Sequence, residues 1–171
     1  KVIMMNNDAD MKNPENTESQ EDHPVSFEVK RRIGFLKIHS KLNILNLEMA
    51  QIIVRILKDA EKNPKVHCII IKTHGSRIFS AGWDLKLFKE GLSMDRVEAV
   101  LTRGGAIARQ LMKMNKPTIA QIQGSAIGVG CIIAFACDFR IVADREDLIF
   151  QLPELELGIY PATGATAGAL K

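Results

Sequence analysis

Aromatic residues are scarce in this chain, with one Trp, one Tyr and seven Phe among 171 residues. Lys and Arg are scattered rather than clustered, so neither a stacking platform nor a basic stripe for nucleic acid is present. Cysteine is nearly absent too: Cys68, Cys131 and Cys137 all lie in apolar runs without Cys-x-x-Cys spacing. That pattern excludes a disulfide framework and a zinc site and suits a reducing compartment, so the three are expected in the core and no metal ligands are assigned. No apolar run is long enough to cross a bilayer, and the N-terminal residues lack the apolar centre of a signal peptide. A soluble, cytoplasmic protein with no membrane partner is expected.

What is there is one sizeable core. With 46% hydrophobic residues, the chain suits a single α/β domain. Residues 1–22 hold two lysines against six carboxylates, a charge of −4, so of the overall +3 the remaining residues carry +7. This first stretch is rich in Asn, Asp, Glu, Ser and Gln and is expected to be a disordered arm. From residue 23 the pattern becomes regular. Val25 to Lys30 and Ile33 to His39 alternate as a hairpin around Arg31-Arg32, whose charges are expected in solvent. Asn46 offers an N-cap to a helix running to Asn63-Pro64. Val66 to Lys72, with Cys-Ile-Ile-Ile at its centre, has the continuous apolar character of a parallel strand covered on both faces.

Asp84 can cap a short helix to about Glu90, and Ser93 opens a longer one ending before Pro117. Gly104-Gly105 inside it costs about 1 kcal/mol per glycine relative to alanine, which points to close packing or a break. Thr118 to Ile122 reads as a buried strand, and Phe139 to Ala143 and Leu148 to Phe150 as short ones. No repeat is visible in the sequence.

The most informative stretch is Gln121 to Asp138, where a strand enters a glycine cluster (Gly124, Gly128, Gly130) and an apolar helix from Cys131 to Cys137 follows. The first amides of a helix have no partner inside it and its dipole favours negative charge there, so this is a candidate anion or oxyanion site. A dinucleotide fingerprint fails, because Ile133 stands where the third glycine of G-x-G-x-x-G belongs. Serine chemistry fails as well: Gly124-Ser125 lacks the G-x-S-x-G frame, and His23, His39, His67 and His74 show no pairing with Ser80 or Ser125.

Three segments in this order, Phe79-Ser-Ala-Gly-Trp-Asp-Leu-Lys86, Gln123-Gly-Ser-Ala-Ile-Gly-Val-Gly-Cys131 and Phe150-Gln-Leu-Pro-Glu-Leu-Glu-Leu-Gly-Ile159, resemble the enoyl-CoA hydratase/isomerase (crotonase) family. Asn43-Ile-Leu-Asn46 and Cys137-Asp138 fit the same pattern. The resemblance implies a crotonase-like spiral of ββα units over 23–171, an acyl-CoA thioester as substrate with coenzyme A as part of it, and no separate cofactor. It also implies a homotrimer, often paired into a hexamer, whose C-terminal helices would lie beyond Lys171.

By the same resemblance, the backbone N–H groups of Trp83 and Val129 hold the thioester oxygen as an enolate forms. Ala81, Trp83, Asp84, Leu85, Lys86 and Val129 would then line the substrate. Family members usually carry Gly at the Val129 position; valine keeps the donor and narrows the approach. Of the two glutamates of family hydratases, the first falls on Ile132, which transfers no proton, and the second on Glu154. Glu154 would be the base, or else only a first-turn helix charge. With one carboxylate, isomerisation of a 3-enoyl-CoA to a 2-enoyl-CoA is expected. The alternatives are a hydratase, perhaps of the carnitinyl-CoA type, and a weakly catalytic CoA-binding protein.

Overall fold

The structure is a computed structural model and describes residues 2–5, 23–89, 94–154 and 156. The chain begins with β1 (Val2–Met5), followed by the hairpin β2 (Val25–Lys30) and β3 (Ile33–Ile38). A 3-10 turn (Lys41–Asn43) leads into α1 (Leu47–Lys62), then β4 (Cys68–Thr73) and β5 (Ile78–Ser80). Next come the short α2 (Lys86–Lys89) and the long α3 (Met94–Lys113), then β6 (Thr118–Ile122) and β7 (Ser125–Ile127). Finally α4 (Val129–Ala136) precedes β8 (Phe139–Ala143) and β9 (Phe150–Gln151).

Two sheets result. The larger has the order β1-β8-β6-β4-β3-β2, parallel except for the β2–β3 hairpin, and the smaller has the parallel order β5-β7-β9. From β4 on, each successive strand pair (β4/β5, β6/β7, β8/β9) sends its first member to the large sheet and its second to the small one. This is the ββα repetition that the sequence conceals, since it lies in topology and not in residue identity.

Local chemistry explains the elements that sequence reading located. Asn46 Oδ1 accepts from the Met49 N–H at 2.8 Å, the N-cap expected for α1, and Asp84 Oδ1 accepts from the Lys86 N–H at 2.9 Å at the start of α2. α3 runs unbroken through Gly104-Gly105, both buried, so the pair makes no break. Glu90 and Ser93, expected at the end of α2 and the start of α3, lie outside the described residues. The hairpin turn holds Arg31 and Arg32 at φ 49° and 67°, exposed as expected. Cys131 and Cys137 are buried and Cys68 is half-buried.

Three expectations need correction. Within 1–22, taken as a disordered arm, Val2–Met5 forms a strand parallel to β8; its partner is far away in the sequence, so no local signal announces it, and 6–22 lies outside the described residues. β4 is not covered on both faces: Ile69, Ile71 and Thr73 are buried while Cys68, Ile70 and Lys72 are partly exposed. Its apolar run reads as continuous because isoleucines occupy both faces. In the glycine-rich stretch the turn does not pass straight into a helix at Cys131, since β7 intervenes and α4 starts at Val129. No helix among the described residues is long and apolar enough to cross a membrane.

Candidate functional site

The small sheet assembles the site. β5, β7 and β9 run parallel, so their C-terminal ends share one edge, where open α/β sheets place ligands. Trp83 lies three residues beyond β5, Val129 two beyond β7, and Glu154 three beyond β9. Successive repeats thus bring the three groups that the sequence singled out to one place.

The Trp83 amide is aimed by its neighbours. Leu45 donates to Gly82 O and accepts from the Asp84 N–H, both at 2.9 Å, and the Ala81 N–H donates to Leu42 O at 3.1 Å. A strand that bonds both flanking residues leaves the N–H of the one between them pointing away. Among the described residues that N–H has no backbone acceptor. The segment Asn43 to Asn46 therefore belongs to the pattern as a clamp. Asn43 is buried, and its Nδ2 donates to His74 O and Ile78 O, both at 2.8 Å.

Val129 offers the second amide at the first position of α4, where no intrahelical acceptor exists, and none is found among the described residues. Gly128 before it has φ 54° and ψ −125°, a conformation suited to glycine, and its N–H donates to Gln151 O at 2.8 Å. Gly82, at φ 89°, comes so close that a Cβ built on it would lie 3.7 Å from Gly128 Cα. The residues preceding both amides are thus in contact. The Val129 side chain is buried, 1% exposed, so it packs into the core.

Glu154 lies at the same mouth. Its Oε1 is 3.9 Å from where a Gly128 Cβ would stand, and its Oε2 is buried with no hydrogen-bond partner among the described residues. A partnerless buried carboxylate oxygen costs free energy unless something else uses it. Its charge reaches Cys131, whose thiol is pushed up to about 11 by burial and then by the Glu154 carboxylate, against a backbone hydrogen bond from Gln151. Stacking of Phe135 on Phe150, centroids 5.8 Å apart, ties α4 to the strand that delivers this glutamate. Glu154 sits in a turn after β9, and the residues that could make it a helix charge lie outside the described ones from 157 on.

Other expected site residues are placed differently. Ile132 is wholly buried, so its position supplies no acid, and Glu156 is exposed, 3.4 Å from Gln151 Nε2. Ala81 and Asp84 are partly buried beside Trp83, whereas Leu85 and Lys86 are exposed. Asp138 is an anchor: its Oδ2 accepts from the Thr118 N–H at 2.9 Å and the Thr118 hydroxyl at 2.7 Å, tying the end of α4 to β6. Among the described residues no group of three or more His, Cys, Asp or Glu could hold a metal ion. Sequence reasoning missed Asn43 as a buried clamp and weighed Ser80 only as a nucleophile. A lone Asn between leucine-rich turns was the available signal for the first.

Comparison with known proteins shows the family and the fold. The family model described as enoyl-CoA hydratase/isomerase matches residues 28–171. A probable enoyl-CoA hydratase of Bacillus subtilis (strain 168) is 35% identical over 143 residues, 83% of this chain and 54% of that protein. A carnitinyl-CoA dehydratase of Salmonella arizonae is 44% identical over 103 residues, 60% of this chain and 38% of that protein. Among solved structures, an enoyl-CoA hydratase from Bacillus anthracis superposes with a TM-score of 0.77 at 26% identity, covering 85% of this chain and 57% of that one. DspI of Pseudomonas aeruginosa gives 0.79 at 26% identity, covering 90% and 62%. The chain thus spans about half the length of the curated relatives it matches. With its crotonase fold and a family match over most of its length, the chain belongs to the enoyl-CoA hydratase/isomerase family.

Proposed function

We propose that this protein forms an enolate from an acyl-CoA thioester and uses it to convert a 3-enoyl-CoA into a 2-enoyl-CoA. The observation that carries the reading is the carboxylate count. Glu154 stands beside the Gly82–Gly128 contact with a buried oxygen that has no partner among the described residues, while the position of the other family glutamate is the buried Ile132.

In the first step the Glu154 carboxylate takes a proton from C2. The C–H electron pair becomes the C1–C2 double bond, and negative charge moves to the thioester oxygen, where the Trp83 and Val129 amides receive it. Each such preorganised donor is worth about 2.7–4 kcal/mol when removed. In the second step the oxygen's electron pair re-forms the thioester carbonyl, the C1–C2 pair becomes the C2–C3 double bond, and the C3–C4 pair takes the proton of the Glu154 carboxylic acid at C4. No net proton is consumed, so one carboxyl group suffices. Assembly as a homotrimer belongs to the same reading and is checked by sedimentation.

Hydration or carnitinyl-CoA-type dehydration is the second reading, favoured by the names of the relatives. Rates of 3-enoyl-CoA isomerisation and 2-enoyl-CoA hydration by one preparation decide between them. Isomerase turnover should exceed hydratase turnover, and Glu154→Gln should lower it by about 10²–10⁴-fold, the usual contribution of positioned acid–base catalysis. Hydration far above isomerisation would overturn the first reading, and acyl-CoA binding without turnover would leave a binding protein.

A further inference from the structure

We infer that Ser80 is a positioning residue that sets the spacing of the two amide donors; this rests on the oxyanion reading proposed above. Ser80 ends β5 and is 1% exposed. Its hydroxyl donates to Asn43 O at 2.7 Å and accepts from the Gly82 N–H at 3.2 Å. A serine hydroxyl has a single proton to donate, and here that proton is committed to a carbonyl, which excludes a nucleophilic role. The bond to Gly82, two residues on, folds the chain just before Trp83 and so directs the Trp83 amide.

The same side chain meets the other donor loop. A Cβ built on Gly130 would lie 2.5 Å from Ser80 Cβ and 2.8 Å from Ser80 Oγ, so the first turn of α4 is pressed directly against Ser80. Gly130 directly follows Val129. Ser80 is thus hydrogen-bonded to the residue before one donor and packed on the residue after the other. Asn43 adds a second tie, because its carbonyl takes the Ser80 proton while its amide holds His74 O and Ile78 O on the two sides of the turn into β5. Side chain, spacer and clamp form one unit between the loops.

The test is Ser80→Ala, which removes both hydrogen bonds and keeps the Cβ. The probe is a 3-oxoacyl-CoA, whose keto and enolate forms are separated by ultraviolet absorbance, so enolate stabilisation is read without turnover. At fixed pH the ratio of bound enolate to keto form should fall about tenfold or more, a partial loss of what a removed oxyanion donor costs. Affinity for the keto form should stay within about twofold. Should the alanine variant fail to fold, Ser80→Cys, with weaker hydrogen bonding at the same place, is read in the same way. An unchanged ratio, or equal weakening of both forms, overturns the inference and leaves Ser80 as structure only. If the parent protein shows no enolate enrichment, the oxyanion reading fails and takes this inference with it, an outcome distinct from enrichment that Ser80→Ala leaves intact.

Discussion

Replacing Gly130 with alanine adds one methyl group at the tightest point of the site. That methyl would stand 2.5 Å from Ser80 Cβ, 2.8 Å from Ser80 Oγ and 2.9 Å from Ser80 O. Carbon atoms in good contact are about 3.5–4.0 Å apart, so α4 and β5 must separate by roughly 1 Å. Overpacking of this kind costs about 1–3 kcal/mol, against which the helix gains at most about 1 kcal/mol from losing a glycine. The expected net loss is about 1–2 kcal/mol, or a fall in melting temperature of roughly 3–8 °C for a chain of this length. Because Val129 moves with Gly130, its amide would leave the thioester oxygen that the proposed function gives it, and a displacement of about 1 Å can cost 10²-fold in rate. Thermal unfolding measures the first effect, and deuterium exchange at C2 of an acyl-CoA in heavy water measures the second. Gly105→Ala is the control: the three atoms nearest its methyl, from 2.7 Å, would all belong to the Arg109 guanidinium, and that exposed arm can swing aside. If Gly130→Ala matches this control in both melting temperature and exchange rate, the packing account of the donor spacing is wrong.

Asn43→Ala should destabilise the protein by about 2–3 kcal/mol in urea unfolding, since a buried amide is lost and two part-buried carbonyls, His74 O and Ile78 O, lose their donor; a loss below about 0.5 kcal/mol would show that water replaces the amide. Cys131 supplies a pH test. Its thiol is raised from 9.0 to about 11, so the folded state holds the proton more tightly, and its contribution is complete below about pH 9 and lost as pH rises through about 11. Two units correspond to about 3 kcal/mol at most. Urea unfolding of the parent should therefore lose that much more stability than Cys131→Ala between those pH values, and parallel curves would refute it.

The parts of the fold written in neighbouring residues were legible in advance. The Asn46 cap, the Asp84 cap and the β2–β3 hairpin each depend on groups a few residues apart, and each lies where patterning placed it. β1 and β7 were not legible, because a strand of three or four residues is defined by partners remote in sequence: Val2 pairs with Arg140, and Ser125 with Ile78. The site divides in the same way. Trp83, Val129 and Glu154 could be named from motif resemblance, whereas Ser80 and Asn43 matter through contacts spanning 37 and 31 residues that no spacing rule anticipates.

The edge of the small sheet has a consequence for how such a protein can change. Trp83, Val129 and Glu154 each come from a different turn of the spiral, so under the proposed function no single segment owns the reaction. On that proposal, mutation in one turn can alter the proton carrier while the other two keep their hold on the oxygen. New reactions could then be acquired piecemeal, on a scaffold whose anion grip is inherited unchanged.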